Sequence, residues 1–334
     1  MLRLFRGTGP GVILLTTTLV VAFWLVSLSN PESQVFGTSI NSMPLSELIV
    51  SVMGSSVVIP QLISLAMVLI IASLLVSFNT GSFFINERTF LPAIVFVILS
   101  SLFPYWMVFN PVLPATALLI FAIMRIADTY RQPGISYNFF DAALLISVGS
   151  LFYANLIWFG LILFIGIFLL RSFNITEAGV AIIGLVTPYA LLYGFYYVSG
   201  RDLGNLTIQI SNSLFLDSID YDWSRMQIVT AIFVSLTLMI ALLHLVSVLK
   251  SKKVRSRKIF ALLLWILIIS FAGYILIPSA SVELSPLLLI PVSYVLPHYY
   301  LSVKRKKIVP ELMFTGTLLL VIVLQLLRFL EVSI

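Results

Sequence analysis

Eleven apolar runs, separated by short polar segments, leave this chain few folds to choose from. A helix needs roughly 20 apolar residues to cross the hydrocarbon core of a bilayer. The runs cover about 10–29, 56–78, 90–106, 111–125, 139–153, 155–171, 178–199, 227–249, 259–278, 285–301 and 311–330. They predict an all-α, polytopic transmembrane helical bundle of about eleven spans, in which the short third to sixth runs form tight hairpins. Composition agrees: 10% of the residues are charged, against roughly 25% in a soluble domain.

The few charges set the orientation. Arg3, Arg6, Arg88, Arg125, Arg131, Arg171, the segment Lys250–Lys258 and the run Lys304–Lys307 all fall on one side of an eleven-span scheme. Only Arg201, Arg225 and Arg328 of the nineteen basic residues fall on the other, leaving sixteen. Basic residues concentrate in cytoplasmic loops, so the N-terminus is expected in the cytoplasm. With an odd count the C-terminus lies outside, in the periplasm if the membrane is a bacterial inner membrane. The first run follows Arg3 and Arg6 but shows no small-x-small cleavage site, so it reads as a span rather than a cleaved signal. The acidic outer segment divides the chain into a membrane sub-bundle over 1–200, a loop over 201–226 and a second sub-bundle over 227–334.

Several chemistries are excluded. The chain has no cysteine, so disulfides, thiolate metal sites and cysteine nucleophiles are absent. His244 and His298 are the only histidines, too few for a multi-histidine metal site, and each reads as a satisfied group near a span end. The net charge of +6 lies in span-flanking loops and orients helices, so nucleic acid is not an expected partner. Membrane lipid is, and the basic turns suit anionic headgroups.

The candidate catalytic groups are acids on the outer side. Glu32 and Glu47 lie in the first outer loop. Residues 43–53 read as an interfacial helix, with Pro44 at its first position and Leu45, Leu48, Ile49 and Val52 on one face. A carboxylate there suits a general base for a sugar hydroxyl, or a ligand of a divalent cation on a pyrophosphate. Asp217, Asp220 and Asp222 cluster in the second outer loop and allow weak Ca²⁺ or Mg²⁺ binding, without the spacing of an EF-hand. On the inner side, Glu87, Arg88, Arg125 and Asp141 read as a charge cluster locking the hairpins together, or alternatively as a site for a phosphate-bearing ligand. Arg171 and Glu177 each suit the helix end they occupy. Pro188 is expected to kink the seventh span and Pro291 and Pro297 the tenth. Tyr153, Trp158, Tyr189 and Tyr193 gather toward the outer face, where they read either as an aromatic-lined groove for a lipid or sugar or as an ordinary interfacial aromatic belt.

The stretches Asn86-Glu87-Arg88-Thr89-Phe90-Leu91-Pro92-Ala93, Phe140-Asp141-Ala142 through Ser150-Leu151-Phe152-Tyr153, and Thr187-Pro188-Tyr189 resemble an uncharacterised family of polytopic inner-membrane proteins from Bacteroidetes. The order of span, outer loop with interfacial helix, span and tight hairpins also resembles the module of GT-C glycosyltransferases. That resemblance implies a polyprenyl-phosphate sugar donor and a first-loop catalytic acid, here Glu32 or Glu47. The paired acidic signature and large outer domain common in that superfamily are missing. Two readings follow: an enzyme of cell-envelope glycan or lipid-linked-sugar metabolism, or a non-enzymatic scaffold subunit or lipid or solute transporter with a membrane protein partner. Two histidines disfavour a haem protein.

Overall fold

The computed structural model describes residues 2–5, 7, 9–29, 43–54, 56, 58–102, 106–130, 137–171, 174–215, 224–277, 284–303 and 308–330. They form α1 (Leu2–Phe5), α2 (Pro10–Ser29), α3 (Pro44–Met53), α4 (Val58–Ser82), α5 (Leu91–Ser100), α6 (Val112–Asp128) and α7 (Tyr137–Ser150). A 3-10 helix (Ala154–Gly160) leads into α8 (Leu161–Leu170), followed by α9 (Ile175–Val198), α10 (Leu203–Phe215), α11 (Arg225–Leu249), α12 (Val254–Leu276), α13 (Ser285–Ser302) and α14 (Ile308–Phe329). No strand occurs among the described residues. Every one of the eleven apolar runs carries a helix. Five of these helices, α4, α9, α11, α12 and α14, are long and apolar enough to cross a membrane.

Many hydroxyl groups inside the helices are satisfied locally. Thr16 donates to the Val12 carbonyl at 2.7 Å, Ser270 to that of Ile266 at 2.8 Å and Thr317 to that of Met313 at 2.8 Å. Such back-bonding lets a polar side chain sit in an apolar helix without an unpaired group.

Two helices make the centre. All ten residues of α5 are buried, and α13 is buried from Pro286 to Leu301 except at Leu288. Burial on every side explains why these runs are apolar all round rather than amphipathic. The α13 helix packs on α5, α6, α11 and α12, so helices from both sides of the 201–226 segment share one core. Outside this centre, α7 packs between α6 and α9. Pro188, Pro291 and Pro297 lie within helices that run through them. Pro188 cannot donate to the Gly184 carbonyl; at the neighbouring Leu185 carbonyl the Ser147 hydroxyl donates from α7 at 2.6 Å.

Contacts sort the helix ends into two sets. At the first, the basic end, Phe5 of α1 meets Phe314 of α14, which also meets Tyr300 of α13. Phe84, in the turn after α4, stacks edge-on to Tyr294 of α13 and Phe260 of α12, and the Lys258 ammonium lies over Tyr130, just after α6. At the second, the cap end, α3 and α10 meet each other and the end of α7. The Leu45 amide donates to the Leu151 carbonyl at 3.1 Å, and Gln209 of α10 donates to Glu47 of α3 at 2.7 Å.

The connection from α5 to α6 also lies toward the cap end, and its described residues are buried except the partly exposed Pro111. Non-helical backbone in such a place needs partners for its carbonyls. Side chains from two other helices supply them. Ser64 of α4 donates to the Trp106 carbonyl at 3.0 Å, Gln325 of α14 to that of Ser101, and Arg328 of α14 to that of Leu102. Arg328 turns into the bundle and places its charge at the C-terminal end of α5, which carries the negative pole of a helix.

Candidate functional site

The cap end is built on a corner between α7 and the 3-10 helix. Met43, Leu151 and Ala154 are buried there, with Leu45, Tyr189, Leu192, Ile210 and Leu214 packed against them. This explains why a helix forms at Pro44–Met53: its first turn docks on Leu151, while Leu48 and Val52 stay exposed. The α9 helix ends beside this corner in a Schellman turn. Gly200 sits at φ 67°, and the Arg201 amide returns to the Tyr196 carbonyl at 3.0 Å. Glycine reaches that left-handed conformation without strain. The turn lets α10 fold back against α9, where Tyr193 and Thr207 hydroxyls meet at 3.1 Å.

Glu47 is exposed on α3, and one carboxylate oxygen accepts from Gln209. Glu32 lies outside the described residues, as do Asp217, Asp220 and Asp222. Of the four aromatic candidates, Tyr189 reaches the corner, its hydroxyl 2.7 Å from that of Ser150. Tyr193 faces α10. Tyr153 is buried, with Asn155 donating to its hydroxyl at 3.5 Å. Trp158 is exposed on the 3-10 helix. Tyr189 and Glu47 thus meet the same cap, reached through the corner and through α10 respectively. Among the described residues no three His, Cys, Asp or Glu side chains gather as metal ligands.

The inner candidates sit at the basic end. Arg125 and Asp141 join α6 to α7 at 3.8 Å, both well exposed. Glu87 accepts from Asn79 through its backbone carbonyl at 3.1 Å, and Arg88 is exposed. Arg171 and Glu177, assigned from the sequence to separate helix ends, form an ion pair with side chains 15% and 6% exposed.

One grouping at this end is not legible in the sequence. His244 of α11 and His298 of α13 lie with ring centres 6.2 Å apart. Phe260 stacks edge-on to His298 at 5.0 Å, and the Lys252 ammonium lies over that same Phe260 ring, also at 5.0 Å. Burial lowers the Lys252 ammonium below the usual lysine range. The only available signal was that both histidines fall near the same end of their runs.

Compared with known proteins, the chain matches no family model, no curated protein and no solved structure.

Proposed function

We propose that this is a multi-pass bacterial inner-membrane protein of cell-envelope glycan or lipid-linked-sugar metabolism, working at its outer face with a GT-C-like order of spans. In this reading eleven helices cross, the basic end is cytoplasmic and the cap end periplasmic. The observation that carries it is the docking of α3, with the first-loop acid Glu47, onto the α7 corner beside Tyr189. A carboxylate at the membrane interface, held by Gln209, is where a lipid-linked sugar would meet its acceptor. A first-loop glutamate, Glu47 or Glu32, takes the acceptor hydroxyl proton as its oxygen bonds to the sugar. The bond to the polyprenyl phosphate breaks, and that phosphate leaves with the electron pair. A divalent cation, if the donor is a pyrophosphate, would sit on its oxygens.

The test begins with native mass spectrometry of the protein in mild detergent. A retained polyprenyl-phosphate species is expected, with sugar transfer from it lost in Glu47→Gln or Glu32→Gln. Wild-type transfer in both variants removes the mechanism. A second reading, a scaffold subunit or lipid or solute transporter, is favoured by α9 and α11, whose apolar stretches are only 17% buried and leave long faces for a lateral partner. A stoichiometric protein partner without a prenyl lipid supports that reading.

A further inference from the structure

We infer that the basic ends of α11, α12 and α13 form a phosphate-binding site built on Lys252, His244 and His298. The site lies at the opposite end of the bundle from Glu47 and does not depend on the proposed sugar chemistry. His298 is 1% exposed, and its Nε2 lies 3.0 Å from the Ser302 hydroxyl. Its Nδ1 is buried without a hydrogen-bond partner, and so is Nε2 of the partly buried His244. In the tautomer that accepts from Ser302 at Nε2, the His298 proton sits on Nδ1, making that atom a donor. A buried polar atom without a partner is costly, and two such atoms stand here on neighbouring rings.

Lys252 decides which ligand the imidazoles suit. Two histidines alone resemble the start of a metal site. Yet no third His, Cys, Asp or Glu ligand joins them among the described residues, and the Lys252 ammonium is close enough for its charge to act on both rings. A cation placed between them would be repelled. An anion would gain an ammonium that forms no ion pair among the described residues, together with imidazole N–H donors. Phosphate fits because lysine binds it as a point charge and N–H donors bond its oxygens. Burial lowers the Lys252 ammonium, and a bound anion would relieve that cost.

Lys252 and His244 are each partly exposed, so the cluster reaches the surface rather than lying sealed. Lys250, Lys253, Arg255 and Arg257, close to Lys252 in sequence, are all exposed, and their charge raises the local concentration of anions. Beside His244 on α11, Leu243 and Val246 are exposed and apolar. The same phosphate chemistry is offered by an anionic lipid headgroup and by a soluble phosphate.

The full-length protein in neutral detergent is titrated with phosphatidic acid, with diacylglycerol of the same chains, and with inorganic phosphate. Thermal midpoint and native mass spectrometry are the readouts. Phosphatidic acid is expected to bind and raise the midpoint while diacylglycerol does not, since the two differ only by the phosphate. Stabilisation by inorganic phosphate as well identifies a soluble ligand as sufficient; stabilisation by phosphatidic acid alone identifies a headgroup. Lys252→Gln and His244→Gln should each weaken binding by about tenfold, the scale of one lost charge-assisted hydrogen bond. Lys252→Arg should restore most of it, and Lys250→Gln, on the rim, should leave it within about twofold. No stabilisation by either phosphate compound overturns the proposal. Equal losses in Lys250→Gln and Lys252→Gln overturn it too, because the basic rim would then bind without the histidine cluster.

Discussion

Glu177 and Arg171 show how burial decides what a charge is worth. Their side chains are nearly excluded from water, while Arg125 and Asp141 are 52% and 40% exposed and 3.8 Å apart. Removing one partner of a buried pair leaves an uncompensated charge and costs roughly 3–5 kcal/mol. An exposed pair is screened and contributes about 0–1 kcal/mol. Glu177→Gln should therefore lower the unfolding midpoint in detergent sharply, and Asp141→Asn should barely move it. Comparable shifts in the two variants would mean that burial does not set the strength of the Arg171–Glu177 pair. The sequence made each charge legible as a helix-end group, since Glu177 lies in the first turn of α9. It did not reveal the pairing, because helix-end preference is local and the pairing depends on how α8 and α9 turn toward each other. The two histidines were hidden for the same reason. They lie on separate helices, and only packing through Phe260 and Tyr299 makes them neighbours.

At the scale of elements, α7 and α9 approach closely. A methyl group on Gly184 would stand 2.8 Å from the Phe140 carbonyl oxygen and 2.7 Å from the Ala143 methyl. The first of these is backbone and cannot rotate away. Helices in membranes pack closely where small residues let their backbones meet, and Gly184 performs that role against Ala143. Gly184→Ala should destabilise by about 1–3 kcal/mol, the usual cost of overpacking. Gly179 on the same helix meets nothing within 4 Å. There an alanine should be neutral or slightly stabilising, by roughly 0.5–1 kcal/mol from helix propensity. Thermal unfolding of the two variants side by side separates crowding at the crossing from propensity. The existence of α9 was plain from its apolar run. Its contact face was not, because an all-round apolar helix carries no stripe to show which side packs. The amphipathic α3 did carry a stripe, and its start at Pro44 was readable for that reason.

For the whole molecule, the question is how many of the eleven helical runs cross the bilayer. If only the five long helices crossed, α2 and α13 would not. The N-terminus, α3, α10 and the α13–α14 connection would then share one side. The packing argues otherwise: Phe5 of α1 meets the first turns of α14, and α13 ends beside Lys252 between α11 and α12, whereas α3 and α10 meet at the opposite end. The charge pattern argues the same way, since the five-span scheme moves Arg3, Arg6 and Lys304–Lys307 to the side that carries Arg201 and Arg225. The chain has no cysteine, so single introduced cysteines report without background. In cells whose outer membrane has been opened, an impermeant maleimide should label Ser51→Cys on α3 and Asn205→Cys on α10. Gly7→Cys and Lys304→Cys should be protected until the inner membrane is permeabilised. Labelling of all four in intact inner membranes would favour the five-crossing scheme. It would also place Gly7 and Lys304 on the same side as Glu47, which is incompatible with a cytoplasmic basic end and hence with the outer-face reading of Glu47.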